Sequence, residues 1–90
     1  MIVNDDNTIN LKTKIGRTIK ERRKNISMNQ EDLLDYAEIS PATLSKLEQG
    51  KANITIDTLK RVLDVLGLEI QIVTKRVDIK WYKHIFSEMI

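Results

Sequence analysis

The 90-residue sequence carries 15 Lys and Arg against 13 Asp and Glu, a formal net charge of +2, with 41% apolar and 31% charged residues. That length holds one domain, and its balance excludes both a disordered chain and a membrane protein, whose spans need apolar runs of about 18 residues. The absence of cysteine removes disulfides and zinc ribbons, which fits a cytoplasmic protein stabilised by packing.

Residues 1–10 read as an N-terminal arm: Met1-Ile2-Val3 gives way to Asn4-Asp5-Asp6-Asn7, so no signal peptide is expected. Asn10 is a good N-cap for a helix over about 11–24, with Ile15 and Ile19 inward, and Ile26 and Met28 continue the apolar surface. Asn29 caps a second helix that runs to about Ala37, with Glu31 and Asp32 favourably placed in its first turn and Leu33, Leu34 and Ala37 facing the core. Ser40-Pro41 is the sharpest local signal, an N-cap followed by proline where the missing N–H costs nothing. This third helix carries Leu44 and Leu47 inward and stops at Gly50. Thr55 caps a fourth, with Leu59, Val62, Leu63 and Leu66 buried, and Gly67 stops it.

Beyond Gly67 the period changes. Leu68-Glu69-Ile70-Gln71-Ile72 alternates apolar and polar and continues into Val73, which predicts a strand. Its ladder needs a partner. A hairpin with residues 77–80 would turn at Thr74-Lys75-Arg76, which holds no Gly, Asn or Asp; the same strand of a second copy, giving a two-fold homodimer, is the leading alternative. Leu68, Ile70, Ile72 and Val73 then form the dimer strand. The tail, residues 81–90, holds three of the four aromatics and reads as a short helix with Tyr82, Ile85, Phe86 and Met89 on one face. The predicted fold is mainly α: a small domain of four to five helices over 11–67, a dimerisation strand region over 68–80 and an aromatic tail over 81–90.

Enzyme chemistry lacks its parts. His84 is the only histidine, and Gly16, Gly50 and Gly67 lie too far apart for a phosphate-cradling loop. Glu31, Asp32, Asp35 and Glu38 read as a wetted helix face rather than a paired acid and base. No cofactor, metal or catalytic residue is expected. Two short helices joined through Ala37-Glu38-Ile39-Ser40 instead suit a helix-turn-helix, which lays its second helix in the major groove of double-stranded DNA.

The run Asn29-Gln30-Glu31-Asp32-Leu33, Ile39-Ser40-Pro41-Ala42-Thr43-Leu44-Ser45-Lys46-Leu47-Glu48-Gln49-Gly50-Lys51, Thr58-Leu59 and Leu66-Gly67-Leu68 resembles the Cro/cI-type (Xre) helix-turn-helix repressors over about Ile15 to Leu68. The strand that follows is similar to that of HipB-type antitoxins, where it pairs between subunits. The resemblance implies base-reading roles for Pro41, Ala42, Thr43, Ser45 and Lys46. Lysine can donate to guanine O6 or N7, and apolar side chains can touch a thymine methyl. It implies DNA-backbone contacts from Gln30, Ser40, Gln49 and Lys51, which fix register without reading sequence. It also implies a structural ion pair between Arg23 and Glu48, a planar fork on a carboxylate.

The first helix sets Lys12, Lys14, Arg17, Lys20, Arg22, Arg23 and Lys24 against Glu21 alone, while the second holds acids and no base. This distribution reads equally as mutual support between helices or as a DNA footprint. Two positions depart from the family pattern: Leu34 replaces the usual alanine of the second helix, and Glu38 the usual glycine of the turn. A glutamate held at positive φ costs about 1 kcal/mol. The function implied is a repressor binding a palindromic operator as a homodimer, with half-sites about 34 Å apart. Within that reading, the chain is an antitoxin that also neutralises a HipA-like kinase toxin, with Trp81, Tyr82, Phe86 and Met89 as the candidate partner surface. The alternatives are a stand-alone phage-type repressor and a protein-interaction module without specific DNA binding.

Overall fold

The computed structural model describes residues 2–3 and 11–74; the expectations for residues 75–80, for the rest of the arm and for the tail with Trp81, Tyr82, Phe86 and Met89 lie outside the described residues. In chain order the elements are β1 (Ile2–Val3), α1 (Leu11–Asn25), α2 (Gln30–Ala37), α3 (Pro41–Glu48), α4 (Ile56–Val65) and β2 (Gln71–Ile72). Among the described residues no helix is long and apolar enough to cross a membrane.

Side chains start the last three helices where the sequence predicts. Asn29 Oδ1 accepts the Asp32 amide at 2.8 Å, Ser40 Oγ that of Thr43 at 3.1 Å, and Thr55 Oγ1 that of Thr58 at 3.1 Å. Each satisfies one of the donors that a helix leaves open at its first turn.

All four helices end alike. Met28 donates its amide to the Arg23 carbonyl at 2.9 Å, Ile39 to Leu34 at 3.2 Å, Lys51 to Lys46 at 2.8 Å and Leu68 to Leu63 at 2.8 Å. This six-to-one closure requires a left-handed residue just past the helix, and Ser27 (φ 58°), Glu38 (φ 55°), Gly50 (φ 76°) and Gly67 (φ 68°) supply it. Glycine does so without strain, whereas Ser27 and Glu38 carry it. The turn residue Glu38 therefore adopts the conformation for which glycine is suited, and the fold tolerates it.

The core gathers Ile19 of α1, Leu33 and Ala37 of α2, Leu44 and Leu47 of α3, Ala52, and Leu59, Val62, Leu63 and Leu66 on and just past α4. Ile15, Met28 and Leu34 pack half-buried around it, and Ile26 is exposed. Leu34 thus sits at the core's rim, which is where the fold accommodates a bulky residue. Helix α1 packs on α3, and α2 on both α3 and α4. The α1–α3 approach is set by Gly16, where a Cβ would lie 2.2 Å from the Leu47 carbonyl oxygen. Arg22 ties α1 to the far end of α4, its Nε donating to the Leu66 carbonyl at 2.8 Å. A cation there also complements the helix dipole.

The strand is shorter than its alternating pattern suggests, and one edge has a partner within the chain. β2 pairs in parallel with β1, Ile2 opposite Gln71 and Val3 opposite Ile72. Parallel pairing needs a long crossover, which the four helices provide. The polar run after Val3 concealed this segment in the sequence. Among the described residues the opposite edge of β2 has no partner, which is consistent with the expected pairing between subunits.

Candidate functional site

Helix α3 divides sharply. Its core side is held by Leu44 and Leu47, while Pro41, Ala42, Ser45 and Lys46 are exposed and Thr43 is half-buried. Positions 41, 42, 45 and 46 recur at helical spacing, so they form one outward stripe. The structure brings four of the five expected base-reading residues together on it, with Thr43 on its flank. Thr43 Oγ1 lies 2.8 Å from Ser40 Oγ, and Gln49 Nε2 donates to Ser45 Oγ at 3.0 Å. No carboxylate among the described residues pairs with Lys46. Its ammonium is the outward charge of the stripe.

Behind the stripe, Arg23 of α1 grips the end of α3. Its Nε donates to Glu48 Oε2 at 2.8 Å, Nη2 to Glu48 Oε1 at 3.1 Å and Nη1 to the Met28 carbonyl at 3.1 Å. Both side chains are more than nine-tenths buried. The expected ion pair is therefore formed, bidentate and desolvated. Burial alone would raise the Glu48 pKa, but hydrogen bonds from Arg23 and Gln30 and the charge of Arg23 outweigh it and hold the carboxyl below its ordinary value near 4.5.

Gln30 also makes a contact within the chain. At the exposed start of α2, its Nε2 donates to Glu48 Oε1 at 3.1 Å, so it completes the buried cluster instead of pointing wholly outward. An amide nitrogen carries two donors, and one is left for solvent or a phosphate. Ser40 uses its hydroxyl as the α3 cap, whereas Gln49 and Lys51 are exposed at the end of that helix.

Two shallow recesses flank α3, and they expose what the sequence reading overlooked. One, of about 270 Å³, lies among Thr43, Lys46, Lys51 and Asn53. The other, of about 450 Å³, runs from Ser40 and Thr43 past Asn53 and Thr55 to Thr58 and Arg61. Asn53 is exposed between buried Ala52 and half-buried Ile54, and it accepts a hydrogen bond from Lys12. The in-out alternation of Ala52-Asn53-Ile54 was the available signal. Asn53, Thr58 and Arg61 thus join the α3 stripe on a polar surface that carries Lys46, Lys51 and Arg61. Among the described residues, Arg23 pairs with Glu48 behind α3 and Lys60 with Asp64 on α4.

Comparison with known proteins places this geometry. The helix-turn-helix family model matches residues 19–73, more than half of the chain. Among solved structures, the wild-type restriction-modification controller protein C.Esp1396I superposes with a TM-score of 0.59 at 23% identity, covering 87% of this chain and 92% of that one. The same controller protein as a tetramer in complex with its natural 35 base-pair operator gives a TM-score of 0.58 at 23% identity over the same shares. At that identity the likeness is one of fold. No curated protein matches the chain.

Proposed function

The chain belongs to the helix-turn-helix family, and from that premise we propose that it is a sequence-specific DNA-binding transcription regulator that occupies a palindromic operator as a homodimer. As a member of that family it is not an enzyme. The observation that carries the reading is the α3 stripe: a capped, outward helix whose Lys46 pairs with no carboxylate among the described residues, held from behind by the Arg23–Glu48 pair. Lys46, Thr43, Ser45, Ala42 and Pro41 read bases, and Gln49, Lys51, Ser40 and the spare donor of Gln30 hold the backbone. Asn53 and Arg61 extend that backbone contact.

The stand-alone regulator is better supported than the antitoxin. The antitoxin reading rests on Trp81, Tyr82, Phe86 and Met89, which lie outside the described residues, whereas the fold shared with an operator-bound controller protein spans most of the chain.

The test is a fluorescence-anisotropy titration against the DNA upstream of the reading frame, with scrambled competitor and a salt series. Specific regulation predicts preference over scrambled DNA by about 10³ or more. Equal binding to both DNAs that merely tracks salt would overturn it in favour of a protein-interaction module.

A further inference from the structure

A groove of about 380 Å³ runs between α4 and the β2 strand, lined by Ile56, Lys60, Leu63 and Asp64 on one side and by Leu68, Ile70 and Ile72 on the other. Positions 56, 60, 63 and 64 share one face of α4, and 68, 70 and 72 one face of the strand region. Two of the lining residues are large apolar side chains left open to solvent among the described residues: Ile56 is 78% and Ile72 94% exposed. We infer that this groove receives a second copy of the chain, so that the α4 face with Ile56, Lys60 and Asp64 forms part of the dimer interface alongside the β2 strand.

Three observations select a second copy as occupant. A two-fold interface must be complementary to itself, and this patch holds both the hollow and the projecting isoleucines to fill its copy. Its rim carries Lys60 and Asp64, one charge of each sign, paired at 2.7 Å within one helix turn. Across a two-fold axis Lys60 of one copy can face Asp64 of the other, whereas a groove for a charged foreign peptide would present one sign. The third observation concerns the edges of β2. One is taken by β1 in parallel, which among the described residues leaves β2 its other edge for an antiparallel ladder with a second copy, next to the groove. None of the groove residues belongs to α3, so both reading helices stay free.

The inference rests on the dimeric part of the proposed function, not on its DNA-binding part. Sedimentation of the full chain through a dilution series, without DNA, tests it. Ile56→Lys should weaken dimerisation about 10-fold or more while far-UV circular dichroism is unchanged. Lys60→Glu should weaken it as well, and Lys60→Glu with Asp64→Lys should restore it. An Ile56→Lys chain that dimerises as the unaltered one does, while Ile72→Lys does not, would overturn the α4 contact and leave the strand-paired dimer standing. A double charge exchange no tighter than Lys60→Glu alone would overturn the two-fold rim. An unaltered chain that is monomeric at every concentration would overturn the dimer itself.

Discussion

Gly16 and Leu47 are in backbone contact: a Cβ on Gly16 would lie 2.2 Å from the Leu47 carbonyl oxygen, and 3.1 Å from both the Glu48 oxygen and the Gly50 nitrogen. Here α1 meets the end of the reading helix without any side chain between them. Gly16→Ala should therefore push the two helices apart. Urea denaturation should show a loss of about 1–3 kcal/mol, the usual range for an overpacked junction. Operator affinity should fall with it, because α3 loses its seat.

The Arg23–Glu48 fork contributes geometry more than net stability. Glu48→Ala leaves a buried guanidinium without its counter-charge and should cost about 3–5 kcal/mol. Replacing both partners together, as Arg23→Met with Glu48→Leu, should recover much of that loss. Denaturant midpoints of the single and double variants check the prediction.

The same pair predicts a pH dependence with a definite sign. Folding holds the Glu48 carboxyl below its ordinary value near 4.5. Its contribution is therefore complete above about 4.5 and lost as pH falls through the lower, folded value. Stability measured from pH 7 downward should drop in that acidic window, and Glu48→Gln should flatten the drop.

Glu38 closes α2 with φ 55° and ψ 49°. Glu38→Gly relieves the strain of a left-handed non-glycine residue but enlarges the freedom of the unfolded chain. The net gain should be about 0.5–1 kcal/mol. A thermal midpoint that falls instead would show that Glu38 makes a compensating contact.

On the DNA side, Lys46→Ala should cost about 1–3 kcal/mol against the operator and relax preference at one base pair. Lys51→Ala should weaken binding to all sequences alike and lower the salt slope by about 1. Anisotropy titrations at several salt concentrations separate the two patterns.

What the sequence revealed and what it hid follow from the range of the forces involved. Asn29, Ser40 and Thr55 were legible as caps because capping is settled within three residues, and the observed bonds to Asp32, Thr43 and Thr58 follow. The inward faces of α3 and α4 were legible from helical spacing. Ser27 gave no signal, since serine has no preference for the left-handed region and only the tertiary packing of α1 places it there. Gln30 turned toward Glu48 because that carboxylate, already fixed by Arg23, offered an acceptor no local pattern shows. The β1 partner of β2 was hidden for the same reason: its pairing spans the whole helical domain. Asn53 joined the candidate surface through its place in the loop beside α3, which the short alternation of Ala52-Asn53-Ile54 marks only weakly.

The parallel ladder between Ile2–Val3 and Gln71–Ile72 also has a kinetic meaning. Every helix closes on local contacts, but this pairing cannot form until the chain between has folded and brought its distant ends together. Non-local closure carries the larger entropic barrier, so the ladder is the last structure to assemble and the first to open. Hydrogen exchange should find the amides of Gln71 and Ile72 poorly protected and those at the α1–α3 junction the slowest of all. The pairing that joins Ile2–Val3 to Gln71–Ile72 is thus also the one most easily released, and it would be lost before the helical domain itself unfolds.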